Sequence, residues 1–238
     1  MNLTVIIPSK NIQNLVNCVA AIRRNEPTLP IIVVNDGIDL ARIARFDRCW
    51  CCENDPIRII QGVKPFIFAR NVNLGIQAAG RSDVVLLNDD ALLEGEGGLS
   101  KLQHQALVHP DYGLISSSTN AAAASQLNQF GNRLRSDPVM VAFVCVFIPR
   151  STIDRVGLLD ERFGVGAAGT GARGYGCDDD DYCWRVREIG MKLGIYDGCF
   201  VDHLSLKSTF RDDPERPADV VAHELVFAEK WGRSPRKP

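Results

Sequence analysis

The chain has 238 residues, 45% of them hydrophobic and 24% charged, with a formal net charge of −2. That length suits one large α/β domain or two small ones, and the composition is ordinary for a globular protein. The near-neutral charge argues against a nucleic-acid-coating protein, and no apolar run is long enough to span a bilayer.

The start, Met1-Asn2-Leu3-Thr4-Val5, carries no basic n-region and no cleavage site, so no signal peptide is expected. Residues 3–8 form a short β-rich apolar run ended by Pro8, which reads as a buried strand. Leu15, Val19 and Ile22 recur at helical spacing. Residues 31–34 are a second buried strand, stopped by Asn35-Asp36-Gly37, and residues 57–60 a third. Residues 66–79 read as a helix ending at Gly80, and residues 84–87 as a fourth strand ended by Asn88-Asp89-Asp90. A helix over 99–108 and a strand over 112–116 follow. Such strand–helix alternation predicts an α/β fold, a mostly parallel central sheet flanked by helices on both faces.

Residues 117–138 are polar, without a clear period, and read as a mobile loop or a poorly signalled helix. Residues 139–148 form a long apolar run, expected to be a central strand, and 151–156 a short helix. Residues 164–176 hold six glycines and include Gly164-Val165-Gly166-Ala167-Ala168-Gly169, which fits GxGxxG. A dinucleotide fingerprint should follow a buried strand and open a helix. This one does neither, so the stretch reads as a glycine-rich lid. Next come Asp178-Asp179-Asp180-Asp181 and a helix through Val186 and Ile189. Asp178 is placed as its N-cap, and Asp181 can reach Arg185 at i,i+4. The run reads as a metal site or as a solvated acidic helix start. Strands over 193–196 and 199–201 lead to Asp202-His203, and 218–231 reads as a surface helix before a basic, frayed tail.

The cysteines are Cys18, Cys49, Cys51, Cys52, Cys145, Cys177, Cys183 and Cys199. Cys49 and Cys52 make a lone CxxC with no second pair at zinc-finger spacing. Cys18 and Cys145 read as small core residues, and reduced thiols in the cytoplasm are the expectation.

In α/β sheets of this kind ligands bind at the carboxyl ends of the strands. Polar residues cluster at three such ends: Ser9 and Asn11, Asn35 and Asp36, and Asn88, Asp89 and Asp90. Each alone is turn chemistry; their coincidence on one edge is the informative part. One or two carboxylates plus phosphates suit Mg²⁺ or Mn²⁺.

In chain order, Val5-Ile6-Ile7-Pro8-Ser9, Val33-Val34-Asn35-Asp36-Gly37, Ala69-Arg70-Asn71-Val72-Asn73-Leu74-Gly75, Leu86-Leu87-Asn88-Asp89-Asp90 and Val156-Gly157-Leu158-Leu159-Asp160-Glu161-Arg162-Phe163 resemble motifs of family 2 glycosyltransferases of the GT-A fold. Asp178-Asp179-Asp180-Asp181-Tyr182-Cys183-Trp184-Arg185 resembles their ED-containing motif, with Asp178 where Glu is usual. Gly174-Tyr175-Gly176 before it is similar to the corresponding stretch of β-1,4-galactosyltransferases. The resemblance runs from residue 3 to about residue 205.

The resemblance implies a GT-A fold and a metal-dependent, inverting, hexosyltransferase-type enzyme. It would use a nucleoside-diphosphate sugar and a hydroxyl acceptor on a glycan, lipid-linked molecule or protein. The expected organisation is one domain over 1–238, with 1–116 binding the nucleotide sugar and 117–238 holding acceptor and catalytic groups. Asp36 would hydrogen-bond the nucleotide base, and Pro8, Ser9, Asn11 and Arg70 would line the nucleotide-sugar site. Asn88 and Asp89 would support the ribose or the metal, with Asn88 standing where an Asp is usual. Asp90 and His203 would ligate Mn²⁺ or Mg²⁺. Asp179 would be the catalytic base, and Asp178 and Tyr175 would contact the acceptor. Placing metal ligand and base on different elements keeps the base free to take a proton.

Two other readings weigh less. A sugar-1-phosphate nucleotidyltransferase carries a glycine-rich basic loop where Pro8-Ser9-Lys10-Asn11 stands. A catalytically inactive binding protein of the same fold has no need for Asp36, Asp90 and Asp179 together.

Overall fold

The computed structural model describes residues 2–39, 41, 57–121, 124–164, 176–206 and 216–235. β1 (Leu3–Ser9) is buried along its length because it lies between two helical layers, so its apolar run does not alternate. Asn11 then caps α1 (Ile12–Asn25), its Oδ1 accepting from the Gln13 and Asn14 amides at 3.0 and 3.2 Å. β2 (Ile31–Asn35), β3 (Ile57–Gln61), α2 (Phe68–Ala78) and β4 (Asp83–Leu87) follow as expected. The short β5 (Leu92–Glu94), unforeseen, precedes α3 (Gly98–Val108) and β6 (Tyr112–Thr119). Next come a 3₁₀ turn at Ala124–Gln126, β7 (Leu134–Ser136), β8 (Cys145–Ile148) and α4 (Arg150–Val156). The chain continues through a second 3₁₀ turn at Glu161–Gly164, α5 (Asp178–Glu188), β9 (Lys192–Asp202) and α6 (Arg216–Trp231). Among the described residues, no helix is long and apolar enough to cross a membrane.

The sheet runs β3-β2-β1-β4-β8-β6-β9-β5, with β7 also paired to β9. β3, β2, β1 and β4 are mutually parallel, as are β6 and β9. β8 enters antiparallel between β4 and β6, and β5 and β7 pair antiparallel with β9. The sheet is therefore parallel in its first half and mixed in its second. α1 and α3 cover one face, where Leu15, Val19, Leu99 and Leu102 meet Val5, Ile7 and Val85. α2 and α5 cover the other, where Val72, Ile76, Tyr182 and Val186 meet Ile6, Ile32 and Leu86.

Five expectations change. The stretch 117–138 is neither a loop nor a helix throughout: β6 continues through buried Ser117, Ser118 and Thr119, and β7 follows. Their hydroxyls need not face water, as Ser116 Oγ donates to the Cys145 carbonyl at 3.1 Å and Ser118 Oγ to that of Cys199 at 3.2 Å. In 139–148 only Cys145–Ile148 is strand. The two strands expected around 193–201 are one, with a register shift where β6 steps from Ser117 to Ser118. Asp178 is the first helical residue of α5, and Cys177, at φ 57°, holds the cap position. α6 is half sunk, since Ala222, Val226 and Phe227 pack inward with Phe163 and Trp184. Cys18 and Cys145 are buried core residues as expected, whereas Cys49, Cys51 and Cys52 lie outside the described residues.

Close approach of α2 to the sheet depends on Gly75. A Cβ there would lie 2.3 Å from Ile6 Cγ2. Gly75→Ala gains up to about 1 kcal/mol of helix propensity but forces overpacking that costs roughly 1–3 kcal/mol. Because the clash involves a fully buried Ile6, the substitution is expected to lower the denaturant midpoint. A midpoint equal to or above that of the parent would show that the helix can lift without cost.

Candidate active site

Three strand ends meet at one edge of the sheet. Ser9 sits in register with Asn35, and the Asp36 amide donates to the Ser9 carbonyl at 2.7 Å. Ser9 Oγ donates to Asp89 Oδ2 at 2.5 Å, joining the end of β1 to the turn after β4. Burial, together with the adjacent charge of Asp90, pushes Asp89 up to about 6, against hydrogen bonds from Ser9, Asn14 and the Asn11 backbone. Asn35 makes the turn: its Oδ1 accepts from the Gly37 and Ile38 amides at 3.1 and 2.7 Å, and its Nδ2 donates to the Ile38 carbonyl. Asp36 is left buried at the edge, with Lys64 Nζ 2.8 Å from its Oδ1. Asp36 Oδ2 accepts no hydrogen bond from any described residue.

Asp90 faces His203 across the gap between β4 and β9, with Asp90 Oδ1 3.1 Å from His203 Nε2. The other ring nitrogen, Nδ1, lies 2.8 Å from the Ala121 carbonyl and must donate to it. In a neutral imidazole that leaves a lone pair on Nε2 aimed at a carboxylate oxygen. Two acceptors at this range repel unless a proton or a cation lies between them. The backbone carbonyl behind the ring is the usual partner of a metal-binding histidine. The pair therefore fits a divalent cation completed by ligand oxygens. Among the described residues, no group of three His, Cys, Asp or Glu side chains comes together to hold a metal by itself.

Asn120 fixes this pair from the end of β6. Its Oδ1 accepts from the His203 amide and its Nδ2 donates to Asp202 Oδ1, each at 2.8 Å. Burial alone would raise Asp202, but hydrogen bonds from Ser205, Asn120 and the Leu204 and Ser205 amides outweigh it and hold it down to about 2.

Residues 141–144 connect this edge to the acidic helix. The Asn88 amide donates to the Val144 carbonyl at 2.9 Å, and Cys183 Sγ, on α5, lies 3.6 Å from the Val141 carbonyl. The Phe143 amide lies against Asp179. Gln126, fully buried, holds both sides of Ala142: its Oε1 accepts from the Ala142 amide at 2.8 Å and its Nε2 donates to the carbonyl at 3.0 Å. Thus Asp179 and the Asn88–Asp90 turn are set by one short segment.

Three of the four aspartates of α5 have distinct surroundings. Asp178 is buried and its Oδ1 accepts from the Gly176 amide at 3.0 Å. Burial, then the charge of Asp179, pushes it up to about 7. Burial also raises Asp179, against hydrogen bonds from the Asp180 and Phe143 amides. Asp181 is fully buried between Arg185 Nε at 2.8 Å, Lys230 Nζ at 2.6 Å and Trp231 Nε1 at 2.9 Å. The expected i,i+4 pair is present, with two further partners from α6.

Of the residues picked from sequence, Ser9, Asp36, Asn88, Asp89, Asp90 and His203 gather at the sheet edge. Asn11 is committed as the α1 cap, and Pro8 lies within β1. Arg70 Nε donates to Glu161 Oε2 at 3.0 Å, so one face of its guanidinium is already used. Tyr175 and most of the glycine-rich stretch, residues 165–175, lie outside the described residues. Sequence reasoning missed Asn120, Gln126, Lys64 and Glu161. Asn120 and Gln126 sit in the stretch without periodicity, where nothing local marks a long-range partner.

The family model described as glycosyl transferase family 2 matches residues 4–133. No curated protein matches the chain in sequence. Among solved structures, the chain is similar to GalNAc-T7 with UDP, GalNAc and Mn²⁺, at TM-score 0.74 and 10% identity over 97% of this chain and 48% of that one. It is similar to the mannosyltransferase PcManGT from Pyrobaculum calidifontis in complex with GDP-Man and Mn²⁺, at TM-score 0.69 and 17% identity over 100% of this chain and 67% of that one. It is also similar to S. aureus TarS in complex with UDP-GlcNAc, at TM-score 0.65 and 11% identity over 100% and 68% of the two chains. The chain thus spans about half the length of the GalNAc-T7 chain. The fold is the GT-A glycosyltransferase fold.

The raised Asp178 has a consequence for stability. A carboxyl whose folded-state pKa lies above its unfolded value stabilises the fold below the unfolded pKa, and that contribution is lost as pH rises through the folded one. With Asp178 at about 7, its share is lost between about pH 4 and pH 7. Asp178→Asn keeps the acceptor for the Gly176 amide and cannot ionise. It is expected to flatten the fall in thermal midpoint over that window and to be more stable than the parent at pH 8 by more than about 1 kcal/mol. Parallel midpoint curves for the two proteins would mean that Asp178 does not titrate there.

Proposed function

This chain belongs to glycosyl transferase family 2, and we propose that it moves a sugar, with inversion, from a nucleoside-diphosphate sugar to a hydroxyl acceptor using Mn²⁺ or Mg²⁺. The whole of 1–238 would act as one domain, with 1–116 holding the donor and 117–238 holding the acceptor and the base. The observation that carries the reading is the Asp90–His203 pair at 3.1 Å, with the ring's other nitrogen tied to the Ala121 carbonyl. It supports a cation beside carboxylates at the strand edge, where a diphosphate would also need one. The structural neighbours hold UDP, GDP-Man or UDP-GlcNAc, and two hold Mn²⁺, which supports both donor and cation. The described cysteines are all unpaired, which supports a reducing, cytoplasmic setting.

Each residue then has a physical task. Asp36 Oδ2, buried and without a described partner, accepts an N–H of the nucleotide base. Ser9, between Asp89 and the Asp36 amide, keeps the two turns in register around the ribose. Arg70 keeps N–H groups beyond the one given to Glu161, and these face phosphate oxygens. Asp90 and His203 hold the cation, which when bound neutralises charge on the departing diphosphate. Asp179 takes the proton of the acceptor hydroxyl as that oxygen bonds to the anomeric carbon. The bond from that carbon to the diphosphate oxygen breaks on the opposite face, and the diphosphate leaves with the electron pair. Burial raises the basicity of Asp179, which suits a general base.

Two measurements test the reading together. Asp179→Asn is expected to lower kcat by about 10²–10⁴-fold while nucleotide affinity stays unchanged. EDTA is expected to abolish turnover and Mn²⁺ to restore it, with His203→Ala needing more Mn²⁺ for half-activation. Turnover is read as released nucleoside diphosphate across a panel of nucleotide sugars. Intact turnover in Asp179→Asn, or indifference to EDTA, would sink it.

A further inference from the structure

Beyond His203, on the far side of the candidate cation pair from Asp36, lies a pocket of about 570 Å³ between the β5–β9 edge and residues 127–130. Its walls include Phe130, Leu127 and Phe200, and its polar residues are Thr119, Asn120, Asn128 and Glu94. The volume is in the range of small-molecule sites. It shares Asn120 with the candidate active site, since that side chain bonds both Asp202 and the His203 amide.

The pocket is built rather than incidental. Phe130 is 84% exposed, an unusual position for a large aromatic ring. Its backbone is left-handed at φ 58°, a conformation that bulky residues rarely adopt. Asn128 Oδ1 holds it there by accepting from the Phe130 amide at 2.6 Å. The loop is pinned in turn. Asn128 N donates to the Thr119 carbonyl at 3.0 Å, and Arg135 Nη2 donates to the Leu127 carbonyl at 3.1 Å. Arg135 itself grips buried Asp197 through two bonds of 2.8 Å. A ring held outward by a fixed loop loses little entropy when a ligand stacks on it.

We propose that this pocket is a sugar subsite, in which a neutral pyranose ring of the acceptor stacks on Phe130 and hydrogen-bonds to Asn120, Asn128 and Glu94. A pyranose offers an apolar C–H face to an aromatic ring and hydroxyls at its rim, which matches apolar walls interleaved with polar side chains. Among the described residues no basic side chain lines the pocket, and Glu94 brings a negative charge. The charge of Glu94 disfavours a diphosphate or an acidic sugar. Position separates the pocket from the nucleotide end, because Asp36 follows β2 while Glu94 and Phe200 lie on β5 and β9, at the other end of the strand order. Calling the ring the acceptor's rests on the transferase reading.

The test is saturation-transfer NMR on the full chain with UDP or GDP and Mn²⁺ present. The probes are methyl glycosides of glucose, galactose, mannose and N-acetylglucosamine. At least one is expected to contact the protein. Phe130→Ala is expected to weaken that contact about 10-fold, and Phe130→Trp to retain it. Calorimetric affinity for the nucleoside diphosphate is expected to be equal in all three proteins. Because the ring is exposed, neither substitution removes core packing, and equal thermal midpoints check this. No glycoside contact, or contact indifferent to Phe130→Ala, overturns the subsite. A Phe130→Ala protein that loses affinity for nucleotide sugars but not for nucleotides would assign the pocket to the transferred sugar and overturn the acceptor assignment. Failure of the parent to bind any nucleotide would overturn the transferase reading, while a Phe130-dependent glycoside contact would still uphold the sugar site.

Discussion

Buried backbone groups must find partners, and nowhere does that requirement shape the molecule more than at residues 141–144. Val141, Phe143 and Val144 are buried, yet their segment joins no strand. Its polar groups are satisfied from three directions. Gln126 takes the amide and carbonyl of Ala142, Asn88 takes the Val144 carbonyl, and α5 meets Val141 and Phe143. A regular strand here would give these groups to a neighbour in the sheet, and nothing would tie the Asn88–Asp90 turn to the acidic helix. The irregular path is what lets two distant carboxylate motifs share one frame. It also explains the buried glutamine in an otherwise weakly patterned stretch: an apolar residue of that size would leave the Ala142 amide unpaired, at about 1–3 kcal/mol, and its carbonyl with the Val144 amide alone.

The same segment marks where the sequence was legible and where it was not. β1, β2, β4, α1, α2 and α3 were readable because each carries its own signal: an unbroken β-branched run, a helical period, or a stop such as Gly80. The α/β class and the strand-edge cluster followed from those elements, and the GT-A fold from the resemblance of their motifs to family 2 glycosyltransferases. Residues 139–148 carry one apolar signal for two structures, because burial by crossover and burial by strand demand the same residues. Ser116 to Thr119 mislead in the opposite sense. Hydroxyls usually signal a loop, but here they extend a fully buried strand by bonding to carbonyls of β8 and β9. β5 and β7, three residues each, are too short to show a period. At the site, residue types were visible but partners were not. Asn11 is a cap, Arg70 is shared with Glu161, and His203 is oriented by Ala121 and Asn120, all through contacts that no local pattern encodes.

The four aspartates of α5 show how partners, more than position, divide labour among identical side chains. Asp181 is fully buried but sits against Arg185 and Lys230. Paired with both, this carboxylate is structural, and it clamps α6 to α5 through Lys230 and Trp231. Asp178 is raised by burial and by the charge of Asp179, so at neutral pH it exists partly as the acid. Its Oδ1 is occupied by the Gly176 amide, which orders the chain entering the helix. Asp179 combines the remaining properties a base requires. It is raised by burial, it is oriented by the Asp180 and Phe143 amides, and it belongs to the frame that also carries Asn88. Each amide bond lowers its basicity somewhat, yet fixes its direction, and orientation is the larger contribution to proton transfer when the acceptor hydroxyl is itself held. Four adjacent carboxylates would repel one another in water. Here Arg185 and Lys230 relieve the repulsion at Asp181, burial favours the acid form of Asp178, and Asp179 is raised by burial and aimed by two amides.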